Sequence, residues 1–444
     1  MPRDLDSSES ESPLPEDVPS SNVEHARGLP ASHPTLSPWQ DRPSPYSKHI
    51  SSTRLPDHAD VCIIGTGLSG ISTAWHLLTT DPTIQITLLE ARTLCSAASG
   101  RNGGHLTSDL YNFAPGLLSA GMTRHQVAAH GQFEMDNFVA LSRLIEEESI
   151  PCEYVRKKHY DVCRTEEEAQ VHLDAIRCME DCGGPLETVK VIYNPLASQL
   201  SGTDCHAIVQ HDYSASINPY ALTAGILKLM MDRFPSRIEL YTQTPVLHVD
   251  GNTVCTSRGK MTCRDLVFAM NGYTASLLPS LKDVIVPVRG QVISRKLMSK
   301  VENCSFNLGG EYLSQRPTEV GVSDDASLSV EVSRYLCDFA TNLESHKVAR
   351  KIETREWTGI MGFAKLGIPV VTRLPRGIIE STNECQQYVL AGFTGHGMPR
   401  IFLSAKHIAS LISGDRGTSR IANVPVPEGY EVIRTMTRAD LSDR

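Results

Sequence analysis

Long apolar runs are missing from this chain. No stretch of about 18 apolar residues occurs, so no membrane-spanning helix is expected. Basic clusters are equally scarce. The longest is Arg156-Lys157-Lys158, and 42 basic against 51 acidic residues leave a net charge of −9, so nucleic acid is not an expected partner. The twelve cysteines form no CxxC pair and no regular framework, which removes a dithiol relay and fits a reduced intracellular setting. No metal centre is expected. The opening MPRDLDSSESES has no apolar core for a signal peptide, and Ser442-Asp443-Arg444 is not a peroxisomal address of the SKL type. The cytosol is therefore the expected compartment. At 444 residues the chain has room for two or three lobes and a large core.

What is present concentrates in residues 59–104. Val61 to Ile64 are apolar and β-prone without polar interruption, as expected of a strand buried on both faces. Gly65, Gly67 and Gly70 follow in GxGxxG spacing, with Leu68 and Ser69 in the same binding turn. The first glycine permits a tight turn, the second lets backbone approach a pyrophosphate, and the third lets helix pack on strand. Ser69 to Thr79 read as that helix, with Ile71, Ala74, Trp75 and Leu78 at helical spacing. Asp81-Pro82 breaks it, and Ile84 to Leu89 form a second strand ending at Glu90, followed by Ala91 and Arg92. A carboxylate there can accept bonds from a ribose 2′-hydroxyl. Strand, helix and acid standing in order outweigh a plain glycine turn.

Glu90 disfavours a 2′-phosphate, which leaves FAD and NAD. The loop Ser99, Gly100, Arg101, Asn102, Gly103, Gly104 is not needed by NAD enzymes. It resembles the loop of the D-amino-acid oxidase/sarcosine oxidase superfamily of flavoenzymes that runs past the pyrophosphate and the isoalloxazine ring. More narrowly, ASGRNGGH is similar to the branch containing γ-glutamylputrescine oxidase and its fungal relatives. Near the other end AGFTGHGM, Ala391 to Met398, resembles the family's C-terminal flavin motif. Backbone N–H groups at the start of the helix that follows, aimed by Gly395, His396, Gly397 and Met398, would stabilise an anionic reduced ring.

The resemblance covers roughly residues 37–430 and implies a mixed α/β (α+β) fold. A Rossmann-type FAD-binding domain would be discontinuous (57–125, 208–284 and 372–415), with an antiparallel-sheet substrate domain inserted (126–207 and 285–371). Residues 1–36 would be a disordered tail, 37–56 an arm or a plain linker, and 416–444 a C-terminal tail. It also implies that Val246 lies against the adenine and that the strand LVFAM, ending in Asn271-Gly272, returns to the nucleotide-binding sheet. EWTGIMGF, Glu356 to Phe363, resembles the loop entering the active site. It lacks the cysteine through which monomeric sarcosine oxidase attaches its flavin, so FAD is expected to be noncovalent.

Elsewhere, Thr123 to Glu148 reads as one amphipathic helix burying Val127, Phe133, Phe138, Leu141, Leu144 and Ile145. Glu153 to Cys163 read as two short strands. Thr165 with Glu168 is a capping box opening a helix that Gly183-Gly184 close, and Asn218-Pro219 start another. Ile238 to Val249 read as a strand with a Pro-bearing kink. Arg289 and Gln291, two apart, share one strand face and suit either an anionic ligand group, the flavin edge or a solvated sheet. One departure stands out. After EYLSQRP, Glu311 to Pro317, the chain passes almost directly into the acidic SDDASLS, about ten residues short of the family's central strand. Sarcosine oxidase has an oxygen-activating lysine in that neighbourhood; here no lysine lies between Lys300 and Lys347.

The implied chemistry is hydride removal from the carbon of a small amine or amino acid, with a neutral amine held over the flavin. His105, Arg289, Trp357 and His396 are the candidate catalytic residues. With O₂ as acceptor the products are imine and H₂O₂. A dehydrogenase with another acceptor and a flavin-binding pseudoenzyme are the alternatives, the latter because of the shortened segment after Arg316. An NAD-dependent dehydrogenase would make SGRNGG and FTGHGM coincidences. No second GxGxxG occurs, which argues against flavin enzymes with a separate NAD(P)H lobe.

Overall fold

The apolar run at Val61 to Ile64 becomes the middle of a sheet. The computed structural model describes residues 28–295, 304–308, 311–312, 319–343, 354–375, 385–415 and 425–433. In it the strand His58–Ile64 is flanked by two parallel strands, Gly259–Phe268 and Ile86–Leu89. Ile238–Tyr241 joins in parallel beyond Ile86–Leu89, and Gln386–Ala391 beyond Gly259–Phe268. Val370–Arg373 closes that edge antiparallel. A strand paired on both edges and covered on both faces has no solvent side, hence its unalternating apolar sequence. Val61, Cys62 and Ile63 are wholly buried. Leu68–Thr80 and Ile401–Asp415 pack against each other as neighbouring helices, with His76 Nε2 donating to the Phe402 carbonyl at 3.1 Å.

Two further sheets complete the fold. One is mixed, in the order Glu311–Tyr312, Cys304–Leu308, Val155–Cys163, Ala207–Ser216, His105–Thr107. Cys304–Leu308 runs parallel to Val155–Cys163, so this sheet is not the uniformly antiparallel one expected. The other is antiparallel, Glu319–Val320, Val286–Arg295 and Thr354–Phe363. His105–Thr107 and Ala207–Ser216 belong to the mixed sheet, although the sequence groups them with the nucleotide-binding segments.

Local signals explain most element ends. Thr123 Oγ1 accepts from Gln126 N while Gln126 Oε1 accepts from Thr123 N, and the helix Arg124–Glu147 follows with the whole expected stripe buried. The second capping box is only half of one: Glu168 N donates to Thr165, but the Glu168 carboxylate reaches back to Arg164 N. Val155–Cys163 is one strand rather than two, because the interruption near Lys157 is a register shift and not a turn. The expected strand over residues 238–249 divides into Ile238–Tyr241 and Val246–Asp250. Between them, Gln243 N and Thr244 N donate to the carbonyls of Arg92 and Glu90 instead of continuing a ladder.

The arm lies along the body. Trp39 Nε1 donates to Asn102 O at 2.8 Å, Ser44 N to the Tyr220 hydroxyl at 3.0 Å, and Ile50 bridges to Tyr241. Composition predicts disorder up to residue 36, yet residues 28–36 also pack here, tied by Thr35 to Asp325, Arg101 and Thr358. The bonds are made to residues distant in sequence, several of them backbone groups, which composition cannot report.

The Asn218 side chain caps the helix Pro219–Arg233 by accepting from Ala221 N at 3.0 Å. Replacing it, Asn218→Ala, is expected to cost about 1 kcal/mol. A lowered thermal-melting midpoint with an unchanged far-ultraviolet circular dichroism spectrum is the result that checks this.

Candidate active site

The glycine turn, the acid at the second strand's end and the C-terminal glycine loop meet in one cleft. Its walls include Gly65, Gly67, Ser69, Glu90, Ala91, Ser99, Arg101, Asn102, Val246, Asn271, Gly395, Gly397 and Met398. Gly65 takes φ +106, and a Cβ there would stand 2.6 Å from the Ala269 carbonyl oxygen. A Cβ on Gly70 would lie 2.0 Å from the Gly65 carbonyl oxygen, so the third glycine is required by helix-to-strand contact rather than by the cleft itself. Leu68 likewise stays behind the wall, its N–H donating to Ser99 Oγ at 2.9 Å. The Glu90 carboxylate is oriented by Thr66, whose N–H and hydroxyl reach Oε2 at 3.1 and 2.6 Å, and by Arg92 N on Oε1. A nucleotide cofactor fits these walls: a glycine cradle too tight for Cβ atoms, a fixed carboxylate at its end, and apolar Val246, Met270 and Leu277 beside it.

Several expected residues serve the cleft indirectly. Arg92 donates both terminal nitrogens to Asp325 at 2.9 Å and reaches the carbonyls of Ala31 and Ser96, so its guanidinium is spent on protein. Arg101 lines the cleft, but its donors go to Ser96 O, Thr358 O and Thr35, with Asp325 at 3.7 Å; it pairs neither with Glu90 nor with an open anion seat. Trp357 is a buried crosslink whose Nε1 donates to Arg101 O at 2.8 Å. Gly272 packs under the Met361 carbonyl, while Asn271, at φ 47, accepts from Gly392 N and Phe393 N. Gly100 sits against the Cys95 carbonyl, and Gly104 against Trp39. Arg289 and Gln291 share a face, but that face turns to Asp324, Ser327 and Ser333, away from the cleft. The acidic SDDASLS thus occupies the region after the shortened segment. Glu311 and Tyr312 are described only as strand backbone, and Arg316 lies outside the described residues.

A second cavity of about 460 Å³ adjoins the cleft. The two share Asn102, Met361, Gly395 and Met398. His105, His396 and Gly103 lie on this second cavity, together with residues the sequence reading missed: Asp109, Tyr111, His159, Asp161, His172 and His211. Their positions come from two strands, a helix and a loop, so no linear motif announces them. Tyr111 donates to Asp161 Oδ2 at 2.6 Å, and His159 Nε2 stands 3.2 Å from Oδ1. Burial would raise the Asp161 carboxyl, but His159 outweighs it and holds the group well below the usual range. Burial and neighbouring His159 push His105 down to about 4, leaving it neutral at pH 7. Burial followed by the Glu134 charge raises Asp109.

Glu134 ties this arrangement together. Its fully buried carboxylate accepts from Arg400 Nε at 2.6 Å, His396 Nε2 at 3.0 Å and Asp109 N at 2.6 Å. One turn on, Asn137 donates to Met398 O and accepts from Leu403 N. The helix Arg124–Glu147 therefore holds the FTGHGM loop at His396 and Met398 and the start of the helix that follows it.

The family model described as FAD dependent oxidoreductase (DAO) matches residues 60–411. The chain belongs to that family. Among curated proteins it is 25% identical over 389 residues to the γ-glutamylputrescine oxidoreductase of Escherichia coli, covering 82% of this chain and 86% of that one. Among solved structures it resembles glycine oxidase from Geobacillus kaustophilus, with TM-score 0.63, 18% identity, and 83% and 100% of the two chains covered. L-proline dehydrogenase from P. horikoshii gives TM-score 0.64 at 16% identity over 85% and 97%. Family membership makes FAD the cofactor of the cleft. Among the described residues no His/Cys/Asp/Glu group is arranged to hold a metal, and no helix is long and apolar enough to cross a membrane.

Two predictions follow from the buried charges. Asp325→Asn would leave Arg92 and Arg101 buried against a neutral amide, at a cost of roughly 3–5 kcal/mol. Thermal melting should fall sharply, and flavin retention on gel filtration with it. Burial would raise the Glu134 carboxyl, but His396 and Arg400 lower it from 4.5 to about 2. A depressed carboxyl contributes stability above its unfolded pKa and loses it as pH falls. The wild type should therefore lose stability between pH 4.5 and about 2, whereas Glu134→Gln should show a flatter acid limb in urea titrations.

Proposed function

We propose that this protein binds FAD noncovalently and oxidises the C–N bond of a small amine or amino acid to the imine, with O₂ as acceptor and H₂O₂ as co-product, in the cytosol. The observation that carries this reading is the wall shared by the nucleotide cleft and the polar cavity. Asn102, Met361, Gly395 and Met398 are where a ligand in one would meet a ligand in the other. Bound FAD supplies the redox chemistry by accepting the hydride from the carbon bearing the nitrogen. The chain supplies position and protonation state. His105 is neutral, so it can accept a hydrogen bond from an amine N–H without adding charge beside the departing hydride. The Gly395–Gly397 turn fronts the helix Ile401–Asp415, whose N-terminus favours negative charge there. Support also comes from relatives whose names refer to γ-glutamylputrescine, glycine and L-proline.

We keep one second reading, a dehydrogenase with a non-oxygen acceptor. It is favoured by the absence of lysine from the residues lining either cavity. EWTGIMGF contributes Gly359, Ile360 and Met361 to the cleft and no cysteine, which supports noncovalent FAD.

The purified protein should be yellow, and acid precipitation should free all the colour. Anaerobic addition of amines and amino acids should bleach the visible flavin bands for at least one compound. Readmitting oxygen should restore them with stoichiometric H₂O₂; slow recovery that a quinone or dye accelerates would select the dehydrogenase. Bleaching by none of the panel would refute amine oxidation.

A further inference from the structure

The polar cavity is short of basic side chains. Among the described residues its lining carries two carboxylates, Asp109 and Asp161, and no lysine or arginine. The cations nearby are already committed: Arg400 to Glu134 and the Gly367 carbonyl, Arg101 to Ser96, Thr358 and Thr35. A substrate carboxylate would thus enter a space where the described residues offer no guanidinium or ammonium and present two acids. Placing like charges together at low dielectric opposes binding.

A ligand cation meets the opposite situation. Asp161 is 3% exposed, fixed by the Tyr111 hydroxyl and His159, and so rigidly presented. Asp109 Oδ1 accepts only a local N–H bond from Asn112, at 3.1 Å. The independent observation is His211, a cavity-lining imidazole 2% exposed whose Nδ1 has no hydrogen-bond partner. An imidazole nitrogen left unpaired in a buried wall costs free energy unless a ligand N–H or water satisfies it.

Resting on the amine-oxidation reading above, we infer that this cavity selects substrates by a second, protonated nitrogen, seated between Asp109, Asp161 and His211, and that its described lining offers a carboxylate no basic partner. The substrate class is a diamine or a longer amine with a remote ammonium group. One nitrogen stays neutral at the carbon that loses hydride; the other keeps its proton and positive charge throughout.

The probes are n-butylamine, 1,4-diaminobutane and 4-aminobutyrate, which place nothing, a cation or an anion at the far end of one chain length. Binding is read by calorimetry on anaerobic, photoreduced holoenzyme, where turnover cannot consume the ligand. The diamine should bind at least about tenfold more tightly than butylamine, a difference of about 1.4 kcal/mol, and 4-aminobutyrate more weakly than both. Asp109→Asn should bring the diamine to the level of butylamine without moving butylamine itself. Equal or tighter binding of 4-aminobutyrate than of the diamine overturns the inference. An unchanged diamine preference in a normally melting Asp109→Asn protein does so too. If that variant does not fold, the wild-type series decides alone. Bleaching by amines with a reversed charge order would sink this inference and leave the proposed reaction standing; failure of every amine to bleach the oxidised holoenzyme would remove the reaction itself.

Discussion

Much of this structure depends on a single buried carboxylate. Glu134 sits in the middle of a helix, wholly enclosed, and accepts bonds from a loop after the SGRNGG motif, from the FTGHGM loop and from Arg400, the residue just before the C-terminal helix. Charge buried this deeply is tolerable only because donors surround it, and each donor belongs to a segment that must be placed accurately. The two motifs lie nearly 300 residues apart in the chain. One ion and its partners hold them in register.

A second buried ion pair does the same on the other side of the cleft. Asp325 receives Arg92 in a bidentate contact and stands 3.7 Å from Arg101, whose remaining donors collect residues 35 and 358. Asp325 belongs to the acidic segment that follows the family's shortened strand. In this chain that segment, with residues 28–36, encloses the arginines that the motif itself brings close. Leu29 and Pro30 even reach the cleft wall.

The functional consequence is a division of labour between two adjoining spaces. The cleft, with its glycine turn and fixed Glu90, has walls that fit a dinucleotide, as an FAD-dependent family requires. The cavity beyond Asn102, Met361, Gly395 and Met398 carries His105 and His211, which burial keeps uncharged, and the carboxylates of Asp109 and Asp161. In the proposed reading, reaction type follows from where these spaces meet and selectivity from what lines the second.

The sequence by itself determined the cofactor and the core of the fold. GxGxxG between a buried strand and a helix, Glu90 twenty residues on, and two glycine-rich motifs are local patterns, each tied to backbone geometry that few other residues permit. Capping signals at Thr123, Thr165 and Asn218 likewise act within four residues, so they can be read without a partner. Only the tertiary structure decided the roles of the arginines and the composition of the substrate cavity. Arg92, Arg101, Arg289 and Trp357 sit in or beside motif segments, yet their side chains were claimed by Asp325, Thr35, Ser327 and a backbone carbonyl contributed from remote segments. Asp109, Asp161 and His211 carry no motif because their meeting depends on how a mixed sheet aligns two strands beside a loop. Hydrogen bonds and ion pairs across such distances are properties of packing, and packing is not written at any one position of the chain.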